Sequence, residues 1–129
     1  MSSRDEKELL EFYNNYMDAL SSAEVESIIR HMSEDTIMYP PSQPAFSGLE
    51  EIRQHYSKKT SGITVLDWSH KVERIGVSES SDLGYVIMSV IHTVEMNGEK
   101  LVFDNKGVKV FKKTDGNWTL VTDCWNDNK

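Results

Sequence analysis

The stretch GVKVFKKTDGNWTLVTDCWN, residues 107–126, predicts a β-hairpin near the C-terminal end of the chain. Apolar and polar residues alternate on both sides of Asp115-Gly116, a dipeptide that favours a tight turn between antiparallel strands. In the second strand, strict alternation places the carboxylate of Asp123 on the same face as Val121 and Trp125. Burying a charge among apolar residues is costly, so Asp123 is the first candidate for a functional residue.

A period of two also extends upstream of this hairpin. It predicts strands over 64–75, 84–96 and 100–113, followed by the last strand over 117–125. The strand over 84–96 is apolar on both faces. Helices can cover only one face of a sheet, so we expect the other face to contact a second subunit in a homodimer.

The N-terminal half has helical periodicity instead. Apolar residues recur three and four positions apart over 4–20, and a shorter second helix is predicted from Val25 to about Ser33. A β-like run over 35–39 ends at Pro40-Pro41, and a third helix is predicted after Gly48. Helices followed by strands indicate a single α+β domain over 1–129, with three N-terminal helices packed on a curved, mainly antiparallel sheet.

Charge and length exclude several classes of function. The chain has 129 residues, with 14 Lys and Arg against 21 Asp and Glu, and a formal net charge of −7. This charge would repel nucleic-acid backbones and anionic membrane surfaces, so neither partner is expected. The N-terminus lacks the pattern of a signal peptide, and the longest apolar run, 85–91, is too short to span a bilayer, which predicts a cytoplasmic protein.

The cysteine and the histidines give no sign of a metal or redox site. The single cysteine, Cys124, cannot form an internal disulfide, and it is expected to be a small packed residue facing away from Asp123. The four histidines lack the close spacings that are typical of metal ligands. Neither a metal nor another cofactor is predicted.

Several short segments, in this order and spacing, resemble the nuclear transport factor two-like superfamily, which includes SnoaL-like polyketide cyclases and ketosteroid isomerases. They are Tyr16-Met17-Asp18-Ala19-Leu20, Ser33-Glu34-Asp35-Thr36, Tyr39-Pro40-Pro41, Phe46-Ser47-Gly48-Leu49-Glu50 and Asp123-Cys124-Trp125-Asn126. The resemblance covers nearly the whole chain. It implies a cone-shaped domain with a pocket at its open end, commonly in homodimers. The fold hosts enzymes and non-enzymes alike, so it does not name a reaction.

Comparison with the ketosteroid isomerases separates retained from missing catalytic positions. Tyr16 falls where those enzymes place the tyrosine that donates a hydrogen bond to the developing enolate. Their general-base aspartate is replaced here by Tyr39, and their second acid falls near Val108, within about one residue; neither Asn105 nor Lys109 obviously replaces it. Isomerisation of a Δ5-3-ketosteroid is therefore not expected, because the proton-transfer base is missing.

The same resemblance implies that His55, His92, Asp123 and Trp125 line the pocket. In some SnoaL-like cyclases an aspartate on a late strand acts as acid or base, and Asp123 is similar in placement. Burial would raise the pKa of Asp123 unless His92 or His55 pairs with it. One hypothesis makes Asp123 the acid/base, with His92 or His55 adjusting it. The alternative is that Asp123 pairs with a buried Tyr, Trp or His and only maintains the structure.

Aromatic side chains complete the predicted ligand site. Tyr16, Tyr39, Trp68 and Trp125 would form a lining suited to a flat, partly apolar molecule. The first interpretation is a SnoaL-like domain that binds such a molecule, with isomerase, lyase or cyclase chemistry as a hypothesis. The alternative is a noncatalytic binding or assembly domain of the same fold. The sequence leaves open whether the protein is an enzyme.

Overall fold

A computed structural model describes residues 3–128 of the chain, which form an α+β fold. Its helices are α1 (Ser3–Ser22), α2 (Val25–Ile29) and α3 (Leu49–Thr60). Its strands are β1 (Met32–Tyr39), β2 (Phe46–Ser47), β3 (Ile63–Val77), β4 (Leu83–Met96), β5 (Glu99–Thr114) and β6 (Asn117–Asp127). No helix within this described segment is long and apolar enough to cross a membrane.

The strands form one six-stranded sheet in the order β2-β1-β6-β5-β4-β3. Strands β3 to β6 are consecutive antiparallel neighbours, and their Asn97-Gly98 and Asp115-Gly116 turns have positive φ angles between 52° and 81°. These angles suit asparagine, aspartate and glycine, which is why the sequence identified both turns. Strand β1 adds to β6 in parallel, so the sheet is mainly but not wholly antiparallel.

The three helices and the inner face of the sheet, which is the face toward the helices, enclose the core. Leu9, Tyr13, Tyr16 and Met17 of α1 are at most 1% exposed, as the helical periodicity predicted. They pack with a common set of buried sheet and helix residues: Ile28, Met38, Ile52, Val86, Met88, Phe111 and Leu120. The cone shape implied by the resemblance stays a prediction.

The opposite, outer face of the sheet carries apolar side chains in register. Strand β4 alternates as predicted, with Val86 and Met88 buried and Tyr85 and Ile87 exposed. Cross-strand pairing aligns two rows over β1, β6, β5 and β4, which we call the outer patch. The rows are Ile37, Thr122, Val110 and Tyr85, and beside them Tyr39, Cys124, Val108 and Ile87.

A β-bulge in β6 changes the alternation that the sequence suggested. Leu120 pairs with Phe111 and Thr122 with Val110, so Val121 is the extra residue between them. As a result Leu120, which is fully buried, shares the inner face with Asp123, and the prediction that Val121 does so is wrong. The buried hydroxyl of Thr36 donates a 2.6 Å hydrogen bond to the Leu120 carbonyl and stabilises the bulge.

Two other details differ from the sequence-based expectation. Helix α2 ends at Ile29, and Met32, which was expected to extend it, is the first residue of β1. Cys124 is exposed rather than packed, because it lies on the outer face of β6.

Candidate functional site

Asp123 is buried at the centre of a charged and hydrogen-bonded cluster. Its side chain is 3% exposed, and that of Lys109, its direct cross-strand neighbour on β5, is 5% exposed. Lys109 Nζ donates to Asp123 Oδ1 at 2.8 Å, and the Tyr16 hydroxyl donates to Asp123 Oδ2 at 2.9 Å. Both carboxylate oxygens therefore have a partner, as a charge buried in a protein interior requires.

A second tyrosine extends this cluster. Tyr56 on α3 lies near Tyr16 and Asp123. Burial, followed by the negative charge of Asp123, raises the pKa of both tyrosines well above the ordinary value. Both phenols are therefore neutral hydrogen-bond donors at any physiological pH, and neither is a source of tyrosinate.

An inner cavity of about 80 Å³ lies beside this cluster, between the helices and the sheet. Asp123 and Lys109 contribute to its wall, but most of the lining is apolar. The apolar and aromatic members are Met17, Leu20, Ala23, Ile28, Tyr56, Ile63, Val65, Trp68, Met88, Val90, Val94 and Trp125. Such a lining with a few polar groups is the usual composition of a small-molecule site.

A larger outer cavity, of about 440 Å³, adjoins the inner one. The two cavities share four lining residues, Lys59, His92, Asn105 and Trp125. We call these four residues the junction. Any molecule that extends from one cavity into the other passes them.

Several buried polar atoms around the cavities lack a hydrogen-bond partner among the described residues. They belong to three residues that line the inner cavity, Trp68 (Nε1), His92 (Nδ1) and Asn105 (Oδ1), and to His55 (Nε2), which lines the outer one. Buried polar groups in native proteins are almost always hydrogen-bonded, to protein, water or ligand. The residues that line the cavities therefore have hydrogen-bonding capacity that the protein itself leaves unused.

His92 is an aromatic element of the junction rather than a partner of Asp123. Its ring lies between those of Trp68 and Phe103, with centroid distances of 4.7 and 5.1 Å. Desolvation, followed by the positive charge of Lys59, lowers the pKa of His92 to about 4, so the ring is neutral near pH 7. The hypothesis that His92 pairs with Asp123 is wrong, because no hydrogen bond or ion pair joins these two residues and the carboxylate accepts from Lys109 and Tyr16 instead.

His55 lies on the outer cavity only. Its ring contacts those of Phe46 and Tyr56, with centroid distances of 4.4 and 4.9 Å. Desolvation and then the charge of Lys59 lower the pKa of His55 to about 4. His55 makes no hydrogen bond to Asp123, so the alternative histidine pairing is wrong as well.

Lys59 on α3 was not recognised from the sequence. Its Nζ lies 5.5 Å from the ring centroid of Trp125 and 5.9 Å from that of Tyr56, although the residue as a whole is exposed. Desolvation lowers its pKa, and the negative charge of Asp123 opposes this shift. In the sequence, the Lys58-Lys59 pair is typical of a solvated helix surface. The only signal that could have placed Lys59 at the cavities is its position one helical turn after His55 and Tyr56.

The structure brings together most, but not all, of the predicted site residues. Trp68, His92, Asp123 and Trp125 line the inner cavity, and Tyr16 lies directly behind Asp123. The prediction that Tyr39 lines the ligand site is wrong, because Tyr39 is 46% exposed on the outer face of β1. Whether any of these residues binds a ligand or acts in catalysis stays a prediction.

The strand register also shows which residues lie where the ketosteroid isomerases have their second acid. Val108 is 41% exposed on the outer face, whereas Asn105 and Lys109 are buried on the inner face. The resemblance suggested an acid within about one residue of Val108. The inward-facing residue at that point is instead the cation Lys109. No group of three or more His, Cys, Asp or Glu side chains within residues 3–128 is arranged to hold a metal ion.

Comparison with known proteins identifies the family. The family model described as a SnoaL-like domain matches residues 9–123, which is most of the chain. The chain belongs to the SnoaL-like domain family. A search of functionally curated proteins returned no match.

Solved structures show the same fold at low sequence identity. A ketosteroid isomerase-like protein from Erwinia carotovora atroseptica superposes with a TM-score of 0.89 at 17% identity, covering 99% of each chain. An NTF2-like protein from Cytophaga hutchinsonii gives 0.78 at 20% identity, covering 98% of this chain and 99% of its own. A domain with a cystatin-like fold from Nostoc punctiforme gives 0.77 at 16% identity, covering 100% of this chain and 80% of its own.

Proposed function

We propose that this SnoaL-like domain binds a small, partly apolar organic molecule in the inner cavity, with the polar end of the molecule at the junction. The observation that carries the proposal is that three residues of a mainly apolar lining have unpartnered buried atoms: Trp68 Nε1, His92 Nδ1 and Asn105 Oδ1. The indole N–H is a donor only, and the amide oxygen is an acceptor. A ligand whose polar end carries an acceptor would satisfy the indole N–H.

The buried methionines allow a direct test. Met17 and Met88 line the inner cavity, whereas Met38 is equally buried but does not line it. In a fragment screen on protein carrying ¹³C-methyl methionine, ligands in the cavity should shift the Met17 and Met88 signals and leave Met38 unchanged. Failure of a screen of aromatic and alicyclic fragments to move either signal would contradict the proposal.

A blocking variant makes the test specific to the cavity. Val65→Phe adds volume to the inner wall and should abolish the fragment-induced shifts. Val102→Phe is the matched control, because Val102 is 66% exposed on β5 and does not line either cavity. The control should bind the fragments like the unmodified protein.

Acid/base chemistry at Asp123 is the second candidate function. Asp123 and Lys109 both line the inner cavity, so both can meet a bound molecule. The contacts favour binding over catalysis, however, because Asp123 accepts from Lys109 and Tyr16 with both oxygens. Uptake of a proton by the carboxylate would weaken its ion pair with Lys109.

Proton abstraction can be tested without knowing the natural substrate. The test measures deuterium exchange of the α-protons of 4-phenylbutan-2-one in D₂O by NMR, with the protein and with Asp123→Asn. Exchange that the protein accelerates and Asp123→Asn abolishes would support catalysis. Binding of the ketone without accelerated exchange would support the binding function and contradict catalysis at Asp123.

We also propose that the outer patch packs against the same patch of a second copy. Its two apolar rows run across four neighbouring strands, and most of their side chains are exposed, including Tyr39, Ile87 and Val108. An exposed apolar sheet face is well suited to sheet-on-sheet packing with an identical face around a two-fold axis.

The oligomeric state tests this interface. Analytical ultracentrifugation should show a dimer for the unmodified protein and a monomer for Val108→Lys. Val102→Lys is the control, because Val102 is apolar and exposed on the same strand but lies outside the two rows. A monomeric unmodified protein would refute the proposal.

A further inference from the structure

The charges that line the inner cavity do not cancel, although the chain as a whole has a formal net charge of −7. The charged residues of the lining are Lys59, Lys106, Lys109 and Asp123. Lys109 and Asp123 neutralise each other through their 2.8 Å ion pair. Lys106 is exposed and, one residue from the inward-facing Asn105, projects from the outer face of β5. Lys59 is left as the uncompensated charge.

Lys59 has no ion pair or hydrogen bond with any residue in the described part of the chain. Other lysines have acidic neighbours: Lys113 lies 3.2 Å from Glu8, and Lys71 lies 3.8 Å from Glu73. Lys59 has only the rings of Trp125 and Tyr56 at cation–π distance, which attract the ammonium but do not neutralise it. Its charge is therefore available to a ligand.

The groups around Lys59 suit a negatively charged partner. Lys59 belongs to the junction, so it borders both cavities. The Trp68 indole N–H, which can only donate, is unpartnered in the inner cavity. The outer cavity adds one positive and one negative residue to the lining, the exposed Lys58 and Asp127, and within the described residues Asp127 forms no ion pair with Lys59.

We propose that the ligand is a small organic carboxylate whose anionic group pairs with Lys59 at the junction and whose apolar body fills the inner cavity. This inference rests on the proposed binding function and adds the chemical class of the ligand. A singly charged carboxylate fits better than a phosphate, because the lining offers one uncompensated cation rather than two or three. Charge complementarity selects the ligand, and the apolar lining limits its size.

Matched acid and amide probes test the inference. The probes are phenylacetate and 3-phenylpropanoate, with phenylacetamide and 3-phenylpropanamide as their neutral counterparts, titrated against the Met17 and Met88 methyl signals. Each acid should bind on the order of tenfold more tightly than its amide, because the carboxylate forms an ion pair with the Lys59 ammonium, whereas the amide offers that ammonium only a neutral carbonyl oxygen. Benzylphosphonate should bind no more tightly than phenylacetate.

Two lysine variants assign the preference to one residue. Lys59→Met should bring the acid and amide affinities within about twofold of each other, because it removes the charge but keeps the aliphatic length. Lys112→Met, at an exposed lysine of β5 that lines neither cavity, should retain the preference for the acid and controls for the loss of one positive charge from the protein.

The outcomes separate this inference from the function on which it rests. Equal affinity for acid and amide, a preference that survives Lys59→Met, or tighter binding of benzylphosphonate would overturn the carboxylate assignment while leaving a binding pocket. If no probe shifts Met17 or Met88 in the unmodified protein, the proposed binding function and this inference fall together.

Discussion

Lys109 Nζ donates a 2.8 Å hydrogen bond to Asp123 Oδ1 across the β5–β6 pair, and both side chains are at most 5% exposed. Two charges that are removed from water together depend strongly on one another, because each compensates the desolvation of the other. Tyr16 donates to the second carboxylate oxygen and completes the hydrogen bonding of Asp123. The wall of the inner cavity is thus organised by a buried ion pair.

Lys109→Met is expected to destabilise the protein by about 3–5 kcal/mol, because it leaves the Asp123 carboxylate buried without its countercharge. The free energy of unfolding, measured by urea denaturation at pH 7, checks this value. Lys109→Met combined with Asp123→Leu should recover most of the loss, since neither charge is then buried alone. Simple addition of the two single-variant effects would show that the residues are not coupled.

Tyr16→Phe should cost about 1–3 kcal/mol of unfolding free energy, because Asp123 Oδ2 loses the hydroxyl that donates to it at 2.9 Å. Tyr85→Phe is a matched control on the outer face, where Tyr85 is 38% exposed. The control should stay within about 0.5 kcal/mol of the unmodified protein. Equal effects of the two substitutions would contradict a structural role for the Tyr16 hydroxyl.

The stability should fall as the pH is lowered, partly because of His92. The pKa of His92 is about 4 in the folded protein and 6.5 for an unperturbed histidine, so the unfolded chain binds more protons between these values. The contribution of the neutral ring is fully present above pH 6.5 and is lost as the pH falls toward 4. His92→Phe should reduce the loss of unfolding free energy between pH 7 and pH 4.5 by about 1–3 kcal/mol.

Urea denaturation of the unmodified protein and His92→Phe at both pH values measures this difference. Phenylalanine keeps an aromatic ring between Trp68 and Phe103, so the stacking is preserved while the titrating nitrogen atoms are removed. Identical pH dependence in the two proteins would show that His92 does not contribute to the acid sensitivity.

Gly107→Ala should destabilise the protein and disturb the Trp125 side of the junction. Gly107 pairs with Trp125, and a Cβ at position 107 would clash with the Cys124 carbonyl oxygen and lie 3.0 Å from Trp125 Cβ. Because one of these neighbours is backbone, the strands must separate, at a cost of about 1–3 kcal/mol. Lys106→Ala, at the adjacent exposed position, should have little effect on the unfolding free energy or on the near-ultraviolet tryptophan signal.

Local patterns in the sequence were sufficient to predict most of the helices, strands and turns of the fold. The helical spacing of Leu9, Tyr13 and Tyr16 and the alternation in β4 are set by which faces become buried. The Asn97-Gly98 and Asp115-Gly116 turns follow from the backbone conformations that these residues tolerate. Each signal lies within a few residues of the structure it determines, so it is visible without knowledge of distant contacts.

The candidate site depends on contacts between residues that are far apart in the sequence. For this reason the sequence predicted the site less completely than the fold. An uninterrupted ladder from the Asp115-Gly116 turn would pair Asp123 with Val108, but the bulge moves its partner to Lys109. No local pattern reveals that bulge, because it is held by the Thr36 hydroxyl of a distant strand. Lys59 was missed for a similar reason: its site role depends on where α3 lies over the sheet.

The extra residue at Val121 also shifts the inward and outward alternation of side chains between the two halves of β6. The first half contributes Trp118 and Leu120 to the hydrophobic core, and the second half presents Asp123 and Trp125 to the cavity. Within a single strand, the bulge therefore joins a segment that packs the hydrophobic core to a segment that carries the buried ion pair and the wall of the cavity.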